Sequence, residues 1–440
     1  MRPFVVSKHN LMKVKKIICL TALMAVVLTA VLSCDRDPLP DPDTDSEQEE
    51  VTETPGTSDT SAVQPQPSVI TISEFLSKDV DTTWYELEGT IITIEKTDYG
   101  NFWIKDSTGI LYVYGLTDGC MERNDKSFLS LGLQIGDLVR FRSRRSEHNG
   151  QPEAGGNTWP ACYLSHVDGE TIPQDDVLVS EQPRAWLELP EVSPADDQAY
   201  VSYYTSDASG STVRNYSMLY DAGERVALWV AYPLCDGYLG DGGRSEAWNF
   251  DPKIPDMYEP VIPRSWGPEE YNRGHQIPSA DRTATVAMNA QTFYFANMTV
   301  QNTELNQGIW AELEGLERDW AADCDTLYVV TGPVLDEDGD GALKYIDDNA
   351  GSPVAVPEAY FKAFLSRNIS DGNYQAIAFY FENRDYGYKR PREEDMLTVT
   401  ELEQCLGMTL FSGLPDAVEN EVKGTINYGF WGFAEPQAGQ

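Results

Sequence analysis

NRGHQIPSADRTATVAMNAQTFYFANMTVQNTELNQGIWAELE, running from Asn272 to Glu314, is the stretch whose reading decides the fold. An Arg-Gly-His triplet (Arg273, Gly274, His275) stands ahead of two asparagines, Asn297 and Asn306, and of Glu314. His275 is the only histidine after His166, so imidazole chemistry in the C-terminal half can rest on this residue alone. Ile309, Leu313, Leu316 and Trp320 recur at helical spacing and form one apolar stripe, while Glu312, Glu314, Glu317 and Arg318 fall elsewhere. That pattern predicts a helix with Asn306 in its first turn and Glu314 roughly 12 Å further along the axis. The two cannot readily bind one ion directly. The expected arrangement has Asn306 touching a metal and Glu314 holding metal-bound water, which suits Mg²⁺, an ion that keeps several waters. These are the parts that metal-assisted phosphodiester hydrolysis needs. Taken singly, an Asn in a first turn is a cap, a helical Glu is a solvated face and Arg-Gly-His is a weak signal. Order and spacing carry the reading.

With those residues in place, the stretch resembles the DNA/RNA non-specific endonucleases of the ββα-metal (His-Me finger) type, whose signature is Asp-Arg-Gly-His followed by Asn, Asn and Glu. Flanking segments extend the resemblance: Trp229-Val-Ala-Tyr232 and Arg244 with Trp248, Asp251 and Pro252 upstream, Val330-Thr-Gly-Pro333, Phe361-Lys362 and Thr398-Val399 downstream. It implies an α+β fold with a central antiparallel sheet over residues 185–435. It also implies roles. His275 is the general base, a part typically worth about 10²–10⁴-fold, and Mg²⁺ (or Mn²⁺) sits on Asn306. Arg244 and Arg273 clamp the scissile phosphate, Glu314 fixes metal water, and Asn297 orients the base or the ligand shell. DNA and RNA are the implied substrates, and the products carry 5′-phosphates. One position departs from the signature: Asn272 stands where the family has Asp. An amide is isosteric with the carboxylate and still accepts a hydrogen bond.

The N-terminus reads as an address. Lys13, Lys15 and Lys16 precede an apolar run from Ile17 to Leu32, and Ala30-Val-Leu-Ser-Cys34 resembles a lipobox. Residues 1–33 are the expected signal peptide and Cys34 the expected lipidation site, giving a lipid-anchored protein of the bacterial envelope, at the outer membrane and exposed at the surface. Residues 34–67, rich in Asp, Glu, Pro, Thr and Ser, lack the apolar residues to offset chain entropy and read as an acidic tether. Residues 68–175 alternate as half-buried strands do: Tyr85–Ile94, Asn101–Lys105, Gly109–Tyr114, Leu138–Arg144 and Trp159–Val167, with a helix over Phe128–Leu133. This pattern resembles an OB-fold barrel. Arg140, Arg142 and Arg144 share one strand face, with Arg145 adjoining, and form the densest basic cluster of the mature chain, a nucleic-acid surface or a set of ion pairs. Further short strands are expected around Ala185–Leu189, Tyr200–Tyr204 and Val226–Ala231.

Asp336, Asp338, Asp340 and Asp347, with Gly341 at the sixth position, follow an EF-hand loop except for Asp at the twelfth. No helix enters the loop, so a structural Ca²⁺ turn between strands and a plain acidic loop both stand. The formal net charge of −39 argues against strong electrostatic capture of nucleic acid. Arg244, Arg264, Arg273 and Arg282 are expected to supply a local basic patch. Five cysteines remain after the signal and the lipid site: Cys120, Cys162, Cys235, Cys324 and Cys405. They exclude a zinc cluster and a dense disulfide framework, with Cys120–Cys162 the one candidate bridge. The rival readings are a surface lipoprotein that binds nucleic acid or polysaccharide with a silent hydrolase domain, and a phosphodiesterase of small nucleotides. No protein partner is expected.

Overall fold

The computed structural model describes residues 68–120, 125–169, 177–337, 339–368 and 372–435. The signal peptide, Cys34 and the tether lie outside them. Two sheets organise the chain. The first contains β1 (Val69–Ile70), β2 (Tyr85–Lys96), β3 (Asn101–Asp106), β4 (Gly109–Tyr114), β5 (Leu116–Thr117), β6 (Leu138–Ser143), β7 (Arg145–His148), β8 (Gln151–Gly155) and β9 (Ala161–Val167). β2 pairs with β3 and with β6, β3 with β4, and β6 with β9. β5 follows β4 after the single residue Gly115, at φ 81°, and pairs in parallel with β9. The pairing path β2–β3–β4/β5–β9–β6 therefore returns to β2. Apolar residues that alternate along these strands, among them Leu87, Ile91, Phe102, Ile104, Val113, Val139 and Phe141, fill its interior. Cys120 and Cys162 are disulfide-bonded, as the sequence allowed.

The second sheet is wholly antiparallel. β10 (Gln198–Ser206), β11 (Thr212–Asp221), β12 (Val226–Leu234), β15 (Thr326–Val334), β18 (Ala359–Arg367), β19 (Tyr374–Glu382) and β20 (Met396–Leu397) pair in that order. Both faces are covered, so its strands carry apolar residues at successive positions. Val230, Tyr232, Leu327 and Val329 meet Ile309, Trp310, Leu313 and Trp320 of the helical segment on one face. Trp229, Ala231 and Val330 meet Val399, Leu402, Cys405 and the C-terminal Leu410, Phe411 and Leu414 on the other. Residues 185–189, expected as a strand, form turn and irregular chain instead. β7 and β8, a hairpin over residues 145–155, went unpredicted because its residues are mostly polar.

A two-stranded ladder, β13 (Tyr271–His275) with β14 (Met298–Asn302), lies against the first sheet. Ile92, Trp103 and Ile110 pack with Ile262, Trp266, Met298 and Val300. The contact is bordered by the ion pairs Lys105–Asp256 and Arg264–Glu95. β16 (Lys344–Asp347) and β17 (Pro353–Val356) form a second small ladder.

Candidate active site

β13 pairs with β14 so that Arg273 faces Val300, Gly274 faces Thr299 and His275 faces Met298. Gly274 is required by space: a Cβ there would stand 2.5 Å from the Gln301 side chain. Strand alternation sends Arg273 and His275 to one face and Asn272 to the other. Asn272 accepts from Thr303 Oγ1 at 3.3 Å, on the side away from His275. The missing carboxylate of the signature therefore does not touch the imidazole.

His275 is walled by aromatic rings. Trp248 meets it edge-on at 5.7 Å and Phe293 at 5.2 Å between centroids. Burial, followed by the nearby charges of Arg244 and Arg273, pushes its pKa down to about 3, against a hydrogen bond to the Arg273 backbone. Nε2 is buried and has no hydrogen-bond partner among the described residues. An imidazole held that far down is neutral at ordinary pH. The two arginines differ in how they are held. Arg273 stacks on Trp248 at 3.5 Å and gives Nη1 to the carbonyls of Ile262 and Pro263, and its burial brings its pKa down to about 10. Arg244 lies over Phe293 at 4.7 Å, donates from Nη1 to Ser279 Oγ at 2.8 Å and pairs through Nε with Glu246.

The helical segment departs from the expected single helix. Its first turn is Thr303–Leu305, capped by Asn302, whose side-chain oxygen accepts from the backbone N–H groups of Glu304 and Leu305. A π-turn over Asn306–Trp310 follows, with Gly308 out of helical geometry at φ −103° and ψ −111°, and the α-helix proper is Ala311–Ala322. Asn302 takes the capping role, and the Asn306 carboxamide makes no hydrogen bond among the described residues. Such π-turns accompany functional sites because the inserted residue re-aims the side chains beside it.

Glu314 is half-buried in the core-side charge cluster. Burial raises its pKa to about 7; Lys362, Arg318 and Arg244 oppose the shift and Asp281 adds to it. The Arg244 charge is felt by both His275 and Glu314, strongly at His275 and least of the named charges at Glu314. Glu317, expected on an open face, is fully buried. It pairs with buried Lys362 at 2.9 Å and accepts from Tyr232 OH at 3.2 Å. Asp281 takes Arg318 at 2.9 Å and Tyr232 OH at 3.2 Å.

Several other expectations are corrected. The Asn297 side chain makes its hydrogen bonds to backbone groups rather than to the imidazole: its amide donates to the Ile277 and Thr292 carbonyls and its oxygen accepts from the Ile277 N–H, which pins the chain just after His275. Arg282 is buried and spends its guanidinium on Asn215, Pro233 O and Asp281 O, and Arg264 pairs with Glu95. Neither adds to a basic patch at His275. In the acidic loop, Asp336 accepts from the N–H groups of Gly339 and Gly341 at 2.8 and 2.9 Å. Asp338 lies outside the described residues, and among those described Asp336, Asp340 and Asp347 do not gather as a three-carboxylate group. Asp137, His166 and Asp168 do come within 4.8 Å of one another, but in the first sheet's unit, apart from His275. Glu246, Trp248 and Phe293 are the site residues whose roles sequence reasoning missed. Ring contacts between distant segments leave no periodic signal.

Comparison with known proteins adds an independent line. The DNA/RNA non-specific endonuclease family matches residues 196–417. A nuclease of Serratia marcescens is 31% identical over 220-odd positions (224 residues), covering 48% of this chain and 79% of that protein. Nuclease C1 of Cunninghamella echinulata var. echinulata is 30% identical over 207 residues, covering 46% and 81%. The mitochondrial nuclease EXOG of Danio rerio is 28% identical over 220 residues, covering 48% of this chain and 62% of its own length.

Proposed function

The chain belongs to the DNA/RNA non-specific endonuclease family, and from that premise we propose that it hydrolyses DNA and RNA phosphodiesters without regard to the sugar, leaving 5′-phosphates. The observation that carries the reading is His275: a neutral imidazole whose Nε2 is unpartnered among the described residues, with two arginines beside it. A water oxygen attacks phosphorus, its proton passes to Nε2, and the O3′ leaves with a proton from solvent. Arg244, half-exposed beside His275, meets the phosphate, while Arg273 is a positioning residue that holds Trp248 against the base.

Asn306 offers a free carboxamide oxygen, a donor type that fits a hard divalent cation such as Mg²⁺ or Mn²⁺, with Glu314 holding a water of that cation rather than the cation itself. When bound there, the cation supplies charge neutralisation at the phosphate and the leaving oxygen. Glu314, drawn toward its anionic form by positive charge, would orient water in that shell.

The proposal extends to the rest of the chain: a lipid on Cys34, an acidic tether over 34–67, an OB-like barrel over 68–175 and a catalytic unit over 185–435, at the outer membrane surface. A binding-only protein silenced at Asn272 is less well supported, since Asn272 is turned away from His275. The test is plasmid DNA and RNA incubated with the protein and Mg²⁺. Degradation of both, stopped by chelator and by His275→Ala and reduced by Asn306→Ala, is the expected result. Undiminished cleavage by His275→Ala overturns the assignment.

A further inference from the structure

The four clustered arginines of the first sheet's unit differ in how their charges are met. Arg140 and Arg142 face Glu86 at 3.0 and 3.9 Å, and Arg145 faces Glu147 at 3.9 Å. Arg144 has no ion-pair partner among the described residues. Its guanidinium instead lies over the rings of Trp84, at 5.0 Å, and Trp159, at 4.3 Å, and its buried Nε has no acceptor. Trp159 is 39% exposed, so this aromatic and cationic stack opens to solvent.

A cavity of about 180 Å³ belongs to the same end of the unit, lined among others by Lys96, Tyr99, Asn101, Tyr114, Asn157 and Pro160, with Asp125 the one carboxylate on its wall. Trp159 sits in the loop between the lining residues Asn157 and Pro160. Gly155 N–H donates to Arg144 O at 3.2 Å and Gly156 N–H to Tyr114 O at 3.0 Å, which joins the stack to the cavity wall. Asn101 is 2% exposed and its carboxamide oxygen has no donor. Here, then, are an unmet cation, an unmet acceptor, a ring-sized cavity and an exposed indole in one place.

We infer that this is a binding site for unpaired nucleotides of a single-stranded nucleic acid. A base enters the cavity with an N–H toward Asn101, its neighbour stacks on Trp159, and the intervening phosphate meets Arg144 and Lys96. Every base has a π-face and an N–H donor, so little sequence preference follows. A neutral sugar would leave Arg144 unmet. The inference rests on the proposed function only for its ligand, the substrate strand: tethering a strand here raises its effective concentration at His275.

Binding is read with the full chain carrying His275→Ala, in chelator, by fluorescence anisotropy with labelled single strands of about 12 nucleotides. Arg144→Gln and Trp159→Ala are each expected to weaken binding by about tenfold, a size typical of one lost stacking contact. Asn101→Leu should weaken it too, with its melting temperature checked because Asn101 is buried. On the enzyme with His275 intact, Trp159→Ala should raise KM for long single strands several-fold and leave hydrolysis of bis(p-nitrophenyl) phosphate unchanged. Unaltered affinity in both Arg144→Gln and Trp159→Ala overturns the inference, as does tighter binding of a uronic-acid oligosaccharide than of the DNA strand. Strand binding without plasmid cleavage by the unmutated protein would remove the endonuclease reading and leave this site standing.

Discussion

Replacing Glu246 by Gln should tighten substrate binding. The Glu246 carboxylate forms an ion pair with Arg244, accepts Trp248 Nε1 at 2.9 Å and acts electrostatically on Arg273. It is held there by left-handed backbone at φ 50°. Arg244 already gives Nη1 to Ser279, so Glu246 covers the guanidinium edge that a phosphate would take, and an incoming strand must share or displace it. The pair is 50% and 56% exposed, which limits its worth to about 0.2–1 kcal/mol. Repulsion between that carboxylate and a phosphate about 5 Å away in water adds roughly 0.8 kcal/mol. Together these come to about 1–2 kcal/mol, a five- to thirtyfold effect on affinity at low salt. Glutamine keeps an acceptor for Trp248 and Arg244 and removes only the charge. Initial rates on linear DNA over a range of concentrations should show KM falling by that factor with kcat nearly constant. The advantage should shrink at high ionic strength, where screening weakens the repulsion. A KM that rises, or one that stays unchanged at low salt, refutes the displacement argument. A loss confined to kcat would show that the carboxylate orients Arg244 for the reaction.

Other perturbations follow from the same geometry. Asn272→Asp should leave activity within about twofold, since the side chain meets Thr303 on the far strand face and either group can accept that bond; a large change in kcat would contradict it. Lys362→Met removes the partner of buried Glu317 and should cost about 3–5 kcal/mol in urea unfolding, with Glu317→Gln in the same chain restoring part of it; an unaltered midpoint in the single variant would show the pair to be dispensable. Burial raises Asp251 from 3.8 to about 6. Its folded form therefore keeps a proton that the unfolded chain has lost, and the stabilisation is full below about pH 4 and lost as pH rises through about 6. Unfolding free energies at pH 5 and pH 7 should differ less in Asp251→Asn than in the parent, and an equal difference would exclude this carboxyl as a source.

The residue types of the site were legible in the sequence; what each side chain is occupied with was not. His275 could be singled out because no other histidine was available, and Asn306 because a short polar residue began an apolar stripe. Asn297 has the same chemistry as Asn306, yet its amide is consumed by three backbone groups of neighbouring turns. Side-chain identity cannot distinguish a spent amide from a free one. Glu317 falls off the apolar stripe and reads as solvated; it is buried because Lys362, on a strand 45 residues later, brings a counter-charge. The π-turn at Gly308 interrupts the helix after Asn306, so a uniform period of 3.6 counted back from Ile309 put Asn306 in the first turn and missed the turn Thr303–Leu305 before it. The missed hairpin of β7 and β8 did leave a signal, Asn149-Gly150, both at positive φ (51° and 77°), the pair favoured in tight hairpin turns.

The chain's acidity becomes intelligible once the arginines are sorted by their partners. A net charge of −39 repels a polyanion, and most cations near the site cannot offset it: Arg282 is buried, Arg264 serves Glu95, and Arg273 is committed to Trp248 and two carbonyls. Arg244 remains, shared with Glu246. Of these four, capture at the catalytic centre would thus depend on one contested guanidinium together with a bound cation, and would fade quickly with salt. Stacking contacts are far less sensitive to ionic strength than phosphate contacts. An aromatic site around Arg144 would therefore matter most where the catalytic centre is weakest. The contribution of Trp159 to KM on long single strands should accordingly grow, relative to that of Arg244, as salt is raised.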